Sequence, residues 1–311
     1  KTPMLTSFFS KSKPVNFLAV IIVMALFYVF ANYEVLFTGF NVSLIAKKTG
    51  ILVCFIIGVW VLDFIARKNE LTQRSAFKIV LFAVFSVSFL PILRDNQVIV
   101  ANLCVLMALR RIISLKSHKE IQKKIFDATF WVCIASLFYF WSILFLIVVY
   151  SGILVYTANY FKNWLVPPVA VFGVILLVTA FHILFYDQFY SFQAWFQESS
   201  FDFQTYNDPG LLIPLSIILA LSLWTLSHYF GLLKKASINS RPTYTLVFLT
   251  LLVSVAIAIF SPVKNGSEFI FYFVPLSIIA SNYFESKRER TFKEILLIGL
   301  VLMPFLIPLI F

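Results

Sequence analysis

The sequence predicts an all-α membrane protein: a polytopic bundle of about eleven transmembrane helices whose N-terminus is cytoplasmic. Hydrophobic residues make up 61% of the chain, charged residues only 13%, and the mean hydropathy is +0.93. A soluble domain of 311 residues cannot bury that much apolar surface. No polar stretch between the apolar runs is long enough to fold alone, so residues 1–311 are predicted to form a single integral membrane domain.

The positions of the apolar runs predict the individual helices, at about 20 residues per crossing or fewer where neighbouring helices shield a span. The runs at 125–138 and 141–156 are short and nearly contiguous, and one long helix with a re-entrant segment is the alternative there. The predicted helices are Val15–Phe30, Gly50–Ala66, Ala76–Ile92, Val98–Ile112, Ile125–Phe138, Trp141–Tyr156, Leu165–Tyr186, Leu211–Phe230, Tyr244–Ser261, Phe269–Asn282 and Ile295–Phe311.

The distribution of basic residues predicts the orientation of the bundle. An internal N-terminus, with residues 1–14 as a cytoplasmic tail, puts 21 of the 25 Lys and Arg residues on the cytoplasmic side. Cytoplasmic loops carry such an excess, and the excess favours eleven spans over the re-entrant alternative. We therefore interpret the net charge of +11 as a mark of topology, with membrane lipids as partners and no nucleic acid. The bacterial inner membrane is the expected location.

Acidic residues indicate where chemistry is expected, because each carboxylate in so apolar a chain must be solvated, paired or placed in a cavity. Seven of the 14 fall on the outer side in this topology. Glu34 follows the first helix, and Asp95 lies in the tight outward turn 93–97. Two outer acids near membrane depth suit a general base and a clamp for a metal or phosphate, so we name both as candidate catalytic residues. The alternative is that both are ordinary solvated loop residues.

The longest outer loop, 185–210, alternates aromatic residues with amides and carboxylates. Flat rings offer stacking faces, and amides and acids offer hydrogen bonds, which together suit a sugar or a lipid headgroup. An interfacial segment with an aromatic belt is the competing interpretation. The candidate substrate-binding residues are Asp187, Trp195 and Asp202 in this loop, together with Arg94 and Asn96 of the turn.

Other motifs are missing from the sequence. It contains no P-loop, nucleophile elbow or dinucleotide fingerprint, which argues against an ATP-driven pump or a cytosolic type of hydrolase. The three histidines lack metal-ligand spacing, so no resident metal ligands are predicted. Cys54, Cys104 and Cys133 lie inside apolar runs and are interpreted as small buried hydrophobic residues.

The stretch from Leu90 to Tyr160 resembles the middle of polytopic glycosyltransferases of the GT-C class. The similarity consists of the outward turn at 94–96, a helix ending in two arginines at 110–111, a Lys-rich link at 116–124 and a short helical hairpin through 135–141. The whole chain also resembles uncharacterised multi-span membrane proteins of Bacteroidota. The GT-C resemblance implies transfer of a sugar from a polyprenyl-phosphate donor on the outer face, with Glu34 as base and a divalent cation as one candidate cofactor.

Two other functions compete with this one. A transporter or lipid flippase also needs an outward-facing polar cavity, but it is expected to carry charges near the bilayer midplane, and few spans here do. A non-catalytic membrane scaffold needs only packing faces. Donor sugar, acceptor, protein partners and oligomeric state are left open by the sequence.

Overall fold

The computed structural model describes residues 5–37, 41–286 and 289–310, and every regular element among them is helical. Parts of the predicted N-terminal tail and first outer loop, and the last residue of the final predicted helix, lie outside the described residues. The α-helices are α1 (Leu5–Phe9), α2 (Pro14–Ala31), α3 (Tyr33–Phe37), α4 (Val42–Lys68), α5 (Phe77–Val87), α6 (Leu90–Arg94), α7 (Asn96–Ile113), α8 (Ile121–Phe138), α9 (Leu146–Thr157), α10 (Phe161–Tyr186), α11 (Phe192–Trp195), α12 (Pro209–Lys235), α13 (Arg241–Phe260), α14 (Phe269–Glu285) and α15 (Arg290–Ile310).

The polytopic helical bundle predicted from the sequence is confirmed, since each of the predicted apolar runs forms helix. Within the described ranges, eight helices are long and apolar enough to cross a membrane: α2, α4, α7, α9 with the 3₁₀ turn before it, α10, α12, α13 and α15. The remaining three runs form α5, α8 and α14. α5 and α14 are short apolar helices, and α8 carries charge in its first turns.

Hydrogen bonds between loops sort the segments into two ends of the bundle. The end that contains α1 and the loops 69–76, 114–120, 158–160 and 236–240 is called the basic end. Ser12 N donates to Arg74 O at 3.1 Å there, and Tyr244 Oη donates to Glu70 O at 3.3 Å. The opposite end contains the turn 94–96, Tyr139 and the loops 187–208 and 261–268. The segments predicted to be cytoplasmic thus meet at the basic end, and those predicted to be external meet at the opposite end.

The core of the bundle is formed by α5 and α14, which pack against each other along their length. All of α5 and all of α14 except its last residue are buried. Phe77 stacks on Phe284 with ring centroids 5.7 Å apart, and Phe85 packs on Phe273 at 5.6 Å. A helix enclosed by protein is not exposed to lipid, so it need not extend across the full thickness of the hydrocarbon core. This explains how the 11-residue α5 can be shorter than a lipid-facing span.

Two helix boundaries differ from the prediction. The predicted helix at 76–92 is broken, because Phe89 is extended and the separate helix α6 begins at Leu90, with Pro91 in its first turn. The second span begins at Val42 and not near Gly50, since the side-chain oxygen of Asn41 accepts hydrogen bonds from the backbone N–H groups of residues 43 and 44 and caps α4. The segment 42–48, which lies before the predicted span, therefore forms the first two turns of α4.

A buried charge network ties α4 to α5 near the basic end. Asp63, which is 1% exposed, pairs with Arg67 one turn later, as its spacing predicts, and also with the fully buried Lys78 at 3.1 Å. The acidic residue at the start of α8, Asp127, pairs with Arg111 at 2.9 Å. This pair forms because α7 and α8 pack side by side and bring the guanidinium within reach of the carboxylate.

Candidate functional site

Polar side chains from five segments converge at the opposite end of the bundle. The side chain of Asn32, at the end of α2, donates a hydrogen bond of 2.9 Å to Leu93 O, which holds the first outward loop against the turn before α7. We call the group around this turn the polar cluster. It consists of Lys48, Arg94, Asp95, Asn96, Tyr139, Tyr206, Ser261, Lys264, Ser267 and Glu268.

Asp95 is the N-cap of α7. Its Oδ1 accepts hydrogen bonds from the backbone N–H groups of Gln97 and Val98 at 3.0 and 3.2 Å. Its Oδ2 accepts a hydrogen bond of 3.2 Å from the hydroxyl of Ser267. A carboxylate at a helix N-terminus satisfies unpaired N–H donors and is favoured by the helix dipole, so this position has a structural reason to be acidic. Both carboxylate oxygens are engaged, although the residue remains partly exposed.

Two cations flank Asp95. Lys48 is 7% exposed, and its Nζ donates to Oδ1 of Asn96 at 2.9 Å and to Arg94 O at 3.4 Å. Nε of the exposed Arg94 donates to Ala31 O at 3.2 Å. Lys48 also lies near enough to Asp95 for the two charges to attract each other. The turn therefore places a carboxylate, an ammonium group and a guanidinium group close together in the chain fold at this end of the bundle.

Glu268 lies in the loop before α14 and is fully buried. Tyr206 Oη donates to its Oε1, and Gly266 N donates to its Oε2 at 3.0 Å. Burial raises the pKa of Glu268 to about 6, and the hydrogen bonds and the nearby charge of Lys264 oppose that rise. Lys264 in turn donates to three carbonyl groups at the end of α13, including Ile259 O at 2.7 Å. This half of the polar cluster is sealed from solvent.

Tyr139 lies between the two carboxylates. Its hydroxyl donates to Ser261 Oγ at 2.8 Å. Burial raises the pKa of Tyr139, the hydrogen bond to Ser261 lowers it, and the charges of Glu268 and Asp95 raise it further. The phenol therefore stays neutral, and it connects the end of α8 to the loop 261–268.

The predicted site residues of the turn 94–96 lie together in the polar cluster. The predicted site residues of the loop 187–208 lie at separate positions along that loop. Glu34 is an exposed residue of α3. Trp195 donates from its indole nitrogen to Ser136 O at 2.7 Å, which attaches the loop to α8. Asp202 is exposed and accepts from the backbone N–H of residue 204 at 3.0 Å, and the exposed Asp187 ends α10 in the left-handed conformation, with φ of 52°. The loop packs against this end of the bundle, and its ligand role stays a prediction.

The sequence did not single out Lys48, Tyr206 or Glu268 as site residues. Lys48 was assigned to a loop, and Glu268 was one of several outer acids with no mark to distinguish it. A usable signal was present in both cases. A lysine or glutamate beside a long apolar run needs a partner at membrane depth, and that partner is to be sought among the polar residues at the same end.

The chain belongs to a family of unknown function, DUF6427, whose model matches residues 4–309. No curated protein and no solved structure matches the chain.

Proposed function

We propose that this multi-pass membrane protein is a GT-C-type glycosyltransferase that uses a polyprenyl-phosphate-linked sugar at the outer face of the bacterial inner membrane. The observation that carries the proposal is the hydrogen bond from Asn32 to Leu93. Glu34 lies two residues after Asn32, and Asp95 lies two residues after Leu93, so both proposed catalytic carboxylates belong to segments that touch at one end of the bundle. The kinship to Bacteroidota membrane proteins suggested by the sequence stays a prediction.

The proposed chemistry is a displacement at the anomeric carbon of the donor sugar. The carboxylate of Glu34 takes the proton of the acceptor hydroxyl, and the hydroxyl oxygen forms the new bond to the anomeric carbon. The bond from that carbon to the phosphate oxygen breaks, and polyprenyl phosphate leaves with the electron pair. Lys48 and Arg94 stabilise the negative charge that develops on the leaving phosphate. Asp95 caps α7 and so fixes the turn that contains Arg94 and accepts the hydrogen bonds of Lys48.

The alternative for charge balance was a divalent cation. Among the residues that the structure describes, no three His, Cys, Asp or Glu side chains form a group able to hold a metal ion. We therefore assign binding of the donor phosphate to Lys48 and Arg94. Asn96, Asp187, Trp195 and Asp202 are proposed to contact the sugar.

Complementation of a deletion strain tests this proposal, with the surface glycans of the cells measured by mass spectrometry. Glu34→Gln and Asp95→Asn remove charge at nearly constant shape, and both are expected to abolish the glycan that the wild-type chain restores. Glu198→Gln is the matched control, because it removes an exposed acid from the same end of the bundle and should leave the glycan intact. Unchanged glycans in the first two variants, at normal protein levels, would disprove the transferase.

A non-catalytic membrane scaffold is the second candidate, and a specific observation favours it. Both oxygens of Asp95 accept hydrogen bonds, from the N-terminus of α7 and from Ser267, and Glu268 is sealed from solvent. Both carboxylates therefore have structural roles that require no substrate. If the scaffold is correct, Asp95→Ala should lower protein stability while Glu34→Gln has no effect on cells.

A further inference from the structure

The basic end of the bundle contains a cavity of about 500 Å³. It opens between the last turns of α4 and α7, the 3₁₀ turn at 114–117 and the first turn of α8. Five cationic side chains and one acidic side chain, Glu70, line it. The cations are Lys68, Arg110, Arg111, Lys116 and Lys124.

Part of this positive charge has a partner within the protein. Arg111 is paired with Asp127, and Nζ of Lys124 donates to Ser114 O at 2.8 Å and to Ser117 Oγ at 2.6 Å. Across the described residues, the cavity's other three cations, Lys68, Arg110 and Lys116, form no ion pair with an acidic side chain within 4 Å. The cavity is thus richer in cations than its own ion pairs require.

The partial negative charges of helix C-termini offset part of this excess positive charge in the cavity, but not all of it. The C-terminal ends of α4 and α7 meet at the cavity, and each contributes about half a negative charge. Together with Glu70 and Asp127, these ends offset roughly three of the five cations, which leaves about two positive charges inside a concave space. A phosphate group carries the complementary charge, and guanidinium and ammonium groups are its usual ligands.

The wall of the cavity also has an apolar component. Phe64 is 39% exposed, and its ring lies under two of the cations, with Arg110 Cζ at 4.9 Å and Lys68 Nζ at 5.2 Å from the centroid. Phe64 belongs to α4, one of the helices long enough to cross the membrane. Positive charge beside an exposed aromatic ring on a membrane helix matches a phospholipid, whose phosphate and acyl chains are carried on one glycerol unit, better than it matches free phosphate.

We propose that this cavity binds the phosphate headgroup of an anionic membrane phospholipid. Basic pockets between transmembrane helices on the cytoplasmic side are suited to such headgroups, and the basic end is the end predicted to be cytoplasmic. The proposal does not depend on the transferase activity, which was placed at the opposite end.

Native mass spectrometry of the full chain in detergent, with phosphatidylglycerol or phosphatidylcholine added, tests the site. The test variant combines Lys68→Gln, Arg110→Gln and Lys116→Gln. The matched control combines Lys11→Gln, Lys234→Gln and Lys235→Gln, which removes the same charge from exposed positions at the same end. The wild-type chain and the control are expected to retain phosphatidylglycerol in preference to phosphatidylcholine, and the test variant should bind phosphatidylglycerol roughly thirtyfold more weakly.

Three outcomes would overturn the proposal. The first is equal binding by the test variant and the wild type, and the second is an equal loss in both triple variants, which would mean diffuse attraction at this end. The third is displacement of phosphatidylglycerol by millimolar inorganic phosphate, which would assign the cavity to a soluble phosphate. If the triple variant does not fold, Lys116→Gln alone should weaken binding roughly threefold, and no weakening in it would equally reject the site.

Discussion

Ser267 donates a hydrogen bond of 3.2 Å to the carboxylate of Asp95 and so joins the loop before α14 to the N-terminus of α7. The two residues are 172 positions apart in sequence. One carboxylate oxygen caps a helix that packs against α4 and α8, and the other holds the loop that carries the buried Glu268. Asp95 therefore links α7 to the loop that leads into the core helix α14.

The cap formed by Asp95 predicts a difference between two substitutions. Asp95→Ala removes the acceptor for two backbone N–H groups and is expected to lower the free energy of unfolding by about 1 kcal/mol. Asp95→Asn keeps an N-cap acceptor of equal quality, so the change should stay within about 0.5 kcal/mol. Thermal unfolding in detergent measures both, and Asp202→Ala provides an exposed loop control. Equal destabilisation by Ala and Asn would show that charge, not capping, is what the fold needs at this position.

The raised pKa of Glu268 predicts that stability depends on pH. The folded chain binds this proton with a pKa of about 6, against an ordinary value of 4.5, so the folded state holds more protons than the unfolded state between these two values. Stability should therefore fall as pH rises through this range, by about 2 kcal/mol over the complete titration from well below pH 4.5 to well above pH 6.

Unfolding measured across this pH range, in wild type and in Glu268→Gln, isolates the contribution of the buried carboxyl group. The glutamine variant should lack this part of the pH dependence, while Glu198→Gln, an exposed acid in the neighbouring loop, should keep it. An identical pH slope in wild type and Glu268→Gln would rule out this carboxyl group as the origin.

Removing one partner of the ion pair between Lys78 and Asp63 is expected to destabilise the protein far more than replacing both partners with apolar residues. Lys78→Met leaves the buried carboxylate with Arg67 alone, and this should cost about 3–5 kcal/mol. The double variant Lys78→Met, Asp63→Leu leaves no buried charge at these two positions and should recover at least half of that loss. Arg67→Gln removes the half-exposed partner and should cost no more than about 1 kcal/mol. Additive losses in the double variant would contradict this account.

The two-ended arrangement predicts which residues are reachable from outside the cell. In a background where Cys54, Cys104 and Cys133 are replaced, Asp202→Cys should react with a membrane-impermeant maleimide in intact cells. Lys119→Cys, in the Lys-rich loop at the basic end, should react only after permeabilisation. Labelling of Lys119→Cys in intact cells would reverse the orientation inferred from the basic residues.

The order and approximate positions of the apolar helices could be predicted from the sequence, because lipid imposes a local rule. Each crossing must be helical and apolar over a set length, and that property is visible in a window of neighbouring residues. The predicted run at 165–186 needed only a small extension to become α10. The prediction of one continuous helix at 76–92 was wrong, since the backbone is extended at Phe89, just before Pro91. A hydropathy window does not detect such a break.

The composition of the polar cluster was decided by tertiary structure. Asp95 was identified from its exposed turn, but its link to Ser267, and the links from Lys48 to Asn96 and from Tyr206 to Glu268, join residues from 48 to 172 positions apart. Whether residues so far apart in the chain come within hydrogen-bonding distance depends on how α5 and α14 pack at the centre of the bundle. Apolar windows determine that a helix crosses the membrane, and only side-chain packing between helices determines which polar groups then meet at its ends.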